Sequence, residues 1–454
     1  RTEAAVFRDA LTPLARTFPA WLSILTGVEP LGHGARFNLM APELLRGTET
    51  LATILAGYGY QTAYATDETR FANIDRRFGF QRVIAPPMGA ADFLLGEMND
   101  LPISNLLSST RLGAILFPHT HGNRAAAVTY RPDAFDAALR QYVTRELSPG
   151  RPLFLAVHFE LAHWPYEWKD SAGESEHRSE LSSQSPLAAY RRALSRVDRQ
   201  VQELLLVLRE AGRLDRAVVI AFSDHGESFL EDEPSWRDSR RAQAVLQPAA
   251  GHGTHVMSRA QHQVLLGMRG FGDRAVQAGP REQEASLCDI KPTVLEWLEL
   301  AESVTPGETE GRSLFPVLRE ETKSLPPRSR FLETGFSLPG ILSGKPDAGE
   351  LFKQGARYYR VRADGRLVLR EEWVERLLTL KQRAVVRGEW LAADIPEIGS
   401  VVVLARRKHG TFRIIECELF DDLDEEGRAL VQQVCERFDG DPGFSNDLCG
   451  CRFS

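Results

Sequence analysis

Residues 196–227 read RVDRQVQELLLVLREAGRLDRAVVIAFSDHGE. Apolar residues leading into this stretch and through it recur at steps of three and four: Leu187, Tyr190, Leu194, Val197, Val201, Leu204, Leu205 and Leu208. That period predicts one amphipathic helix, with Gly212 as its stop. Ala217–Phe222 is then a continuous apolar run of strand length. Ser223-Asp224-His225-Gly226-Glu227 follows it directly. In an open α/β sheet, ligands gather beyond the carboxyl ends of the strands. A carboxylate and an imidazole side by side at such an end can both turn to one metal ion. Taken alone, the same two residues also suit a loop that caps a helix.

The pattern continues on both sides of this block. A helical stretch runs from Glu49 to Gly57, with Leu51, Ile54 and Leu55 on one face, and a short strand follows over Gln61–Ala65. Pro152–Phe159 (PLFLAVHF) reads as a buried strand, and Gln263–Met268 as another. Short apolar strands separated by amphipathic helices predict an α/β sheet covered on both faces. Ser303–Pro327 is rich in Pro, Gly and charge and reads as a boundary, placing one unit at 1–325 and a second at 326–454. Beyond it, Tyr358–Val361, Leu367–Leu369, Val401–Leu404 and Phe412–Glu418 read as short strands, closed by a helix over Glu425–Phe438. The second unit is therefore expected to be a small antiparallel α+β subdomain.

Composition removes several function classes. The 454 residues carry a formal charge of −7, so the whole chain gives no electrostatic reason to bind nucleic acid. No apolar run approaches the ~18 residues of a membrane span. The chain opens on Arg1-Thr2-Glu3-Ala4 without a signal-peptide pattern and reads as a piece of a longer protein, so membrane contact is expected only through a segment upstream. Five scattered Cys do not make a disulfide framework or a zinc knuckle, and Cys449 and Cys451 are expected to be free thiols.

Two further groups carry chemistry. In Thr17-Phe18-Pro19-Ala20-Trp21-Leu22-Ser23-Ile24-Leu25-Thr26-Gly27, Pro19 fits the first turn of a short helix ending at Gly27. Thr17 then stands at the helix N-terminus, where free N–H groups favour an anion. Its hydroxyl needs a metal or a base to become a nucleophile; otherwise it is a simple cap. The second group is histidines in loops after strands: His158 and His163 in HFELAHWPYEW, and His252 in Gly251-His252-Gly253-Thr254-His255. His33, His119, His121, His177, His262 and His409 have no such setting and read as structural or surface residues.

Order and spacing of these segments resemble the alkaline phosphatase/sulfatase superfamily over about residues 10–318. The matching segments are TFPAWLSILTGVEPLGHGARFN, the HWP segment, the SDHGE block, GHGTHV, Asp289-Ile290-Lys291-Pro292-Thr293 and Gly311-Arg312-Ser313-Leu314. The resemblance implies a three-layer α/β/α sandwich and a divalent-metal ester hydrolase. Thr17 stands where the family's covalent nucleophile stands and would also ligate the metal. Asp224 and His225 match the metal-binding Asp-His. Asn38, 21 residues after Thr17, is placed like the Asn that hydrogen-bonds a non-bridging phosphate oxygen. His163 matches a His that contacts the substrate anion. The His158/His163 spacing resembles that of phosphoethanolamine transferases, and His252 resembles their His in a Leu-His-Gly segment.

Two departures from the family shape the functional expectation. The family's first strand carries one or two acidic metal ligands, and this chain begins after it: Arg1–Arg16 offers only Glu3 and Asp9. Sulfatases place Cys or Ser, followed by x-Pro-Ser-Arg, at the nucleophile and oxidise it to formylglycine. Thr17 is followed by Phe-Pro-Ala-Trp, and oxidising a Thr side chain gives a ketone, not an aldehyde. The expected reaction is therefore metal-dependent cleavage of a small-molecule or lipid phosphate ester through phospho-Thr17. A membrane-anchored phosphoethanolamine- or phosphoglycerol-type transferase, or an inactive member lacking the first metal carboxylate, are the alternatives. Carboxylate, imidazole and hydroxyl ligands suit Zn²⁺ or Mn²⁺, with Ca²⁺ or Mg²⁺ as further options. The resemblance implies a periplasmic or other extracytoplasmic location.

Overall fold

The computed structural model describes residues 3–47, 49–86, 123–124, 130–169, 185–230, 250–303, 307–338, 348–399, 402–406, 411–415, 423–444 and 449. The larger part holds strands β1 (Ala5–Leu11), β2 (Gln61–Thr66), β3 (Arg82–Ile84), β4 (Leu153–His158), β5 (Val218–Phe222), β6 (Gln263–Val264), β7 (Leu266–Gly270) and β8 (Gly279–Ser286). The remainder holds β9 (Arg330–Glu333), β10 (Tyr359–Val361), β11 (Leu367–Leu369), β12 (Arg383–Arg387), β13 (Trp390–Asp394), β14 (Val402–Arg406) and β15 (Thr411–Ile415). The helices that matter below are α1 (Thr17–Thr26), α2 (Leu51–Gly57), α3 (Pro132–Gln141), α4 (Pro186–Glu210), α5 (Ile290–Trp297), α6 (Glu371–Leu378) and α7 (Glu425–Phe438).

Strand periodicity explains the layers. β2 pairs in parallel with β3 and β4. Along β4, Leu153, Leu155 and Val157 face α3 and α4 through Leu139, Leu204, Val207 and Leu208. Phe154 and Ala156 face the opposite way, into the core built on α1. Burial on both faces is why this strand reads as a continuous apolar run. The companion sheet runs β5–β7–β1–β6, with β8 parallel to β1, and α1, α2 and α5 pack on it through Ala20, Ile24, Leu51, Leu55 and Val294. The result is a mixed α/β/α sandwich.

Two details depart from the sequence reading. A strand, β1, leads into α1; its run AVFRDAL carries two charges, and its partner β8 lies far along the chain. β1 presents no carboxylate at its C-terminal end: Asp9 pairs with Arg330 at 3.1 Å. The run read as one strand over Gln263–Met268 is broken at Leu265. β6 pairs Ala10 with Val264, while β7 pairs Ala5 with Met268, a register offset of one residue that marks a bulge.

The C-terminal sheet is antiparallel, in the order β15–β14–β13–β12–β9. Period two again assigns its faces. Val385, Ala392 and Leu404 pack on α7, and Ala384, Val386, Leu391 and Val403 pack on Leu11, Val256 and Met257 of the larger part. The hairpin β10–β11 and α6 join the α1 core through Leu369 and Leu377. Cys449 is not a free thiol: it is disulfide-bonded to Cys435 of α7, with Cα atoms 5.7 Å apart, within ordinary bridge geometry. Sequence spacing cannot reveal that the terminal segment folds back on α7. Cys451 lies outside the described residues.

Candidate functional site

The Leu265 bulge sets the aim of the Asp-His turn. Leu265 N–H donates to Ser223 Oγ at 3.0 Å, and Ser223 N–H donates to the Leu265 carbonyl at 3.2 Å. Gly226 N–H then donates to the Gln261 carbonyl at 2.9 Å. A Cβ at Gly226 would meet the Ala260 carbonyl oxygen at 1.9 Å, so only glycine lets the turn close this tightly. Asp224 and His225 are thereby fixed beyond the end of β5.

Three imidazoles share one hydrogen-bond pattern. His225 Nδ1 lies 2.9 Å from the Gly226 carbonyl, His163 Nδ1 lies 2.8 Å from the Trp164 carbonyl, and His252 Nδ1 lies 2.9 Å from Glu227 Oε2. In a neutral ring, an acceptor on Nδ1 assigns the proton to that nitrogen and leaves Nε2 with its lone pair, the state of a ligand or proton acceptor. The His225 and His252 rings stack with centroids 4.1 Å apart, and His163 and His252 meet at 5.5 Å. Burial lowers the pKa of His252 well below its usual value, and the neighbouring His225, Arg16 and His163 push the same way. Burial also lowers His163, against the pull of Glu68.

His158 closes the group from the end of β4. Its Nε2 lies 3.8 Å from Asp224 Oδ2, and its Nδ1 lies 3.2 Å from Glu160 Oε1. Burial alone would lower its pKa, but Glu160, Asp224 and Asp67 outweigh burial and raise it. For Asp224, burial is overcome by His225, His158 and His252, which hold the carboxyl below its usual range.

α1 brings Thr17 to the same place. Its Trp21 ring packs edge-on against His158, with centroids 5.4 Å apart. Thr17 is the first helical residue, Arg16 occupies the cap position, and Gly27 ends the helix in the left-handed region at φ 70°. The Thr17 hydroxyl has no hydrogen-bond partner among the described residues, while the helix's other hydroxyls are engaged: Ser23 Oγ with His33 Nε2 at 3.1 Å, and Thr26 Oγ1 with the Leu22 carbonyl at 2.6 Å. Asn38 Oδ1 accepts the Phe18 N–H at 3.1 Å, which places Asn38 beside Thr17. Pro19 has no N–H, and Ala20 N–H is spent on the Arg16 carbonyl, so the first turn keeps only the Thr17 N–H for a ligand. The helix end is a poorer anion cradle than its sequence suggested.

Asp224 Oδ2 is buried without a hydrogen-bond partner and lies 3.6 Å from His225 Nε2. An orphaned carboxylate oxygen facing an imidazole lone pair fits a borderline divalent cation. Among the described residues, no group of three or more His, Cys, Asp or Glu is gathered to hold a metal. Two residues here were not singled out from the sequence: Glu227, which orients His252, and Glu160, which faces His158. Glu227 lay within the quoted SDHGE block, but its partner 25 residues on could not be read from spacing. Of the histidines set aside, His33 and His262 are buried in hydrogen bonds, to Ser23 and to the Thr12 carbonyl, while His119, His121, His177 and His409 lie outside the described residues.

Comparison with solved structures gives the same architecture in ester hydrolases. The phosphonate monoester hydrolase of Silicibacter pomeroyi superposes with a TM-score of 0.55 at 15% identity, covering 97% of this chain and 90% of that one. That of Agrobacterium radiobacter gives 0.53 at 15%, covering 89% and 82%. A 2-O GAG sulfatase, BT1596, gives 0.54 at 14%, covering 96% and 85%. At these identities the likeness concerns the fold. No curated protein matches the chain by sequence. The sulfatase family model, however, matches residues 1–300, which span β1, α1, the histidine loops and the Asp-His turn. This chain therefore belongs to the sulfatase family, among the ester hydrolases of the alkaline phosphatase/sulfatase superfamily.

Proposed function

We propose that the chain hydrolyses phosphate esters, diester or monoester, through a covalent phospho-Thr17 intermediate. The observation that carries this reading is a threonine hydroxyl, unengaged among the described residues, on the first residue of α1 with Asn38 fastened beside it. Thr17 Oγ1 attacks phosphorus as the bond to the leaving oxygen breaks. The proton of the attacking hydroxyl passes to an imidazole Nε2, for which neutral His163 and His252 are suited, and is returned to the leaving oxygen. Water then attacks phosphorus, the bond to Thr17 breaks, and the hydroxyl is restored. The Asn38 amide, whose hydrogens have no partner among the described residues, holds a non-bridging oxygen, and His158, raised towards its charged form, adds positive charge nearby. A divalent cation, Zn²⁺ or Mn²⁺, held by Asp224, His225 and the Thr17 hydroxyl would lower the hydroxyl pKa and offset the charge of the transferred group.

The reading is tested with paired aryl esters. The protein is expected to cleave an aryl phosphate diester or monoester much faster than the matching aryl sulfate; faster sulfate cleavage would overturn it. The metal assignment has its own readout. Asp224→Ala should lose bound Zn²⁺ or Mn²⁺, measured by elemental analysis after dialysis, while its melting transition stays cooperative. Full metal occupancy in that variant would refute the assignment. Periplasmic or extracytoplasmic residence remains part of the same proposal, and no helix of the described residues is long and apolar enough to cross a membrane.

A further inference from the structure

Arg16, the residue before Thr17, is surrounded in an unusual way. Its stem passes between Gly253 and Gly335, whose backbones are joined by a 2.8 Å bond from Gly335 N–H to the Gly253 carbonyl. A Cβ at Gly253 would lie 2.5 Å from Arg16 Nε, and one at Gly335 would lie 2.6 Å from Arg16 Cγ. Both glycines thus leave a slot for this one side chain. Nη2 donates to Ser337 Oγ. Nε is buried without a partner, and Nη1 has none among the described residues.

Charge makes this environment informative. Arg16 is half-buried; the buried Arg36, Arg330 and Arg383 each meet a carboxylate, and the buried Arg124 donates to the His163 carbonyl. Arg16 has no carboxylate within ion-pair distance among the described residues. The nearest acidic influence is Glu227, already engaged by His252. A recessed, permanently charged group lacking a counter-ion is stabilised by an external anion, and a planar guanidinium suits tetrahedral oxyanions. The first turn of α1 has only one N–H left for that task.

We infer that Arg16, with Ser337 from the C-terminal part, forms a subsite for a tetrahedral oxyanion on the wall of the Thr17 site. The C-terminal subdomain then supplies part of the substrate pocket as well as its packing. That the anion belongs to a substrate rests on Thr17 as the reacting residue; the subsite itself is measured by binding alone.

Inorganic phosphate and, separately, inorganic sulfate are titrated calorimetrically into the full chain with its bound metal. Saturable binding of at least one is expected. Arg16→Gln should weaken it about ten- to a hundred-fold, the range of a lost hydrogen bond to a charged group, and Arg16→Lys should lose less. Ser337→Ala should weaken binding at least three-fold, and this variant decides the question if Arg16→Gln does not melt cooperatively. The titration needs no turnover, so the subsite is scored even if no phosphate ester is cleaved. Unchanged affinity in Arg16→Gln, or in Ser337→Ala where Arg16→Gln fails to fold, overturns the inference. So does absence of binding of either anion to the unsubstituted protein.

Discussion

Thr17→Ala is expected to lower phosphate-ester cleavage by on the order of 10⁴- to 10⁶-fold, the loss seen when a covalent nucleophile is deleted. The effect should fall on the chemical step. Thr17 is buried, and exchanging its hydroxyl for hydrogen removes no hydrogen bond seen among the described residues, so the fold should persist. Thr17→Ser should keep measurable turnover, because the hydroxyl remains and only a methyl is lost. Ser23 and Thr26 cannot take over. Ser23 Oγ is held by His33 and Thr26 Oγ1 by the Leu22 carbonyl, and both face the core. Acid quenching during turnover, followed by peptide mass spectrometry, should place a phosphoryl group on Thr17. An adduct on Ser23 or Thr26, or an undiminished rate in Thr17→Ala, would refute the mechanism.

What the sequence made legible is what local periodicity encodes. α4 lies where the three-four spacing put it, because one apolar face on a helix leaves an unambiguous period, and α7 spans the expected Glu425–Phe438. β4 was legible because apolar packing on both faces makes a continuous apolar run, and β5 because its run VVIAF is uninterrupted. β1 was not: Arg8 and Asp9 interrupt its pattern, and its status as a strand comes from pairing with β8 more than 260 residues away. The Leu265 bulge was equally invisible, since only the offset between two partner registers defines it. The candidate site divides in the same way. Thr17, Asn38, His158, His163, Asp224, His225 and His252 were named from order and spacing, and folding brings them to one end of the sheets. Glu227, Glu160 and Arg16 take their meaning from neighbours distant in sequence. Arg16 depends on Gly335 and Ser337 of a segment that sequence analysis assigned to another unit.

That junction between units also carries the largest expected effect on stability. Glu333 at the end of β9 is buried, and its Oε2 accepts from Arg36 Nε at 2.7 Å and lies 3.1 Å from Lys381 Nζ. Arg36 also donates to Asp441 Oδ2 at 2.9 Å, and Arg383 Nε donates to the same oxygen at 2.6 Å. Burial would raise the Glu333 pKa, but Arg36 and Lys381 outweigh it and bring it from 4.5 to about 2. Lys381 is shifted in the opposite sense to an ion-pair partner: burial, aided by Arg36 and Arg383, lowers it to about 7 despite Glu333. Arg36 is therefore the cation that holds Glu333 ionised. Glu333→Ala leaves Arg36 and Lys381 buried beside each other without their shared carboxylate, a loss of about 3–5 kcal/mol for a broken buried pair. Because the folded-state pKa of Glu333 is depressed, its contribution is complete above about 4.5 and disappears as the pH falls through about 2. Urea unfolding of the unsubstituted protein and Glu333→Ala should thus differ most at pH 7, and the gap should narrow between pH 5 and pH 3. Equal stability of the two proteins at pH 7, or a gap that widens on acidification, would show that this ion cluster does not tie the C-terminal sheet to the segment that follows α1.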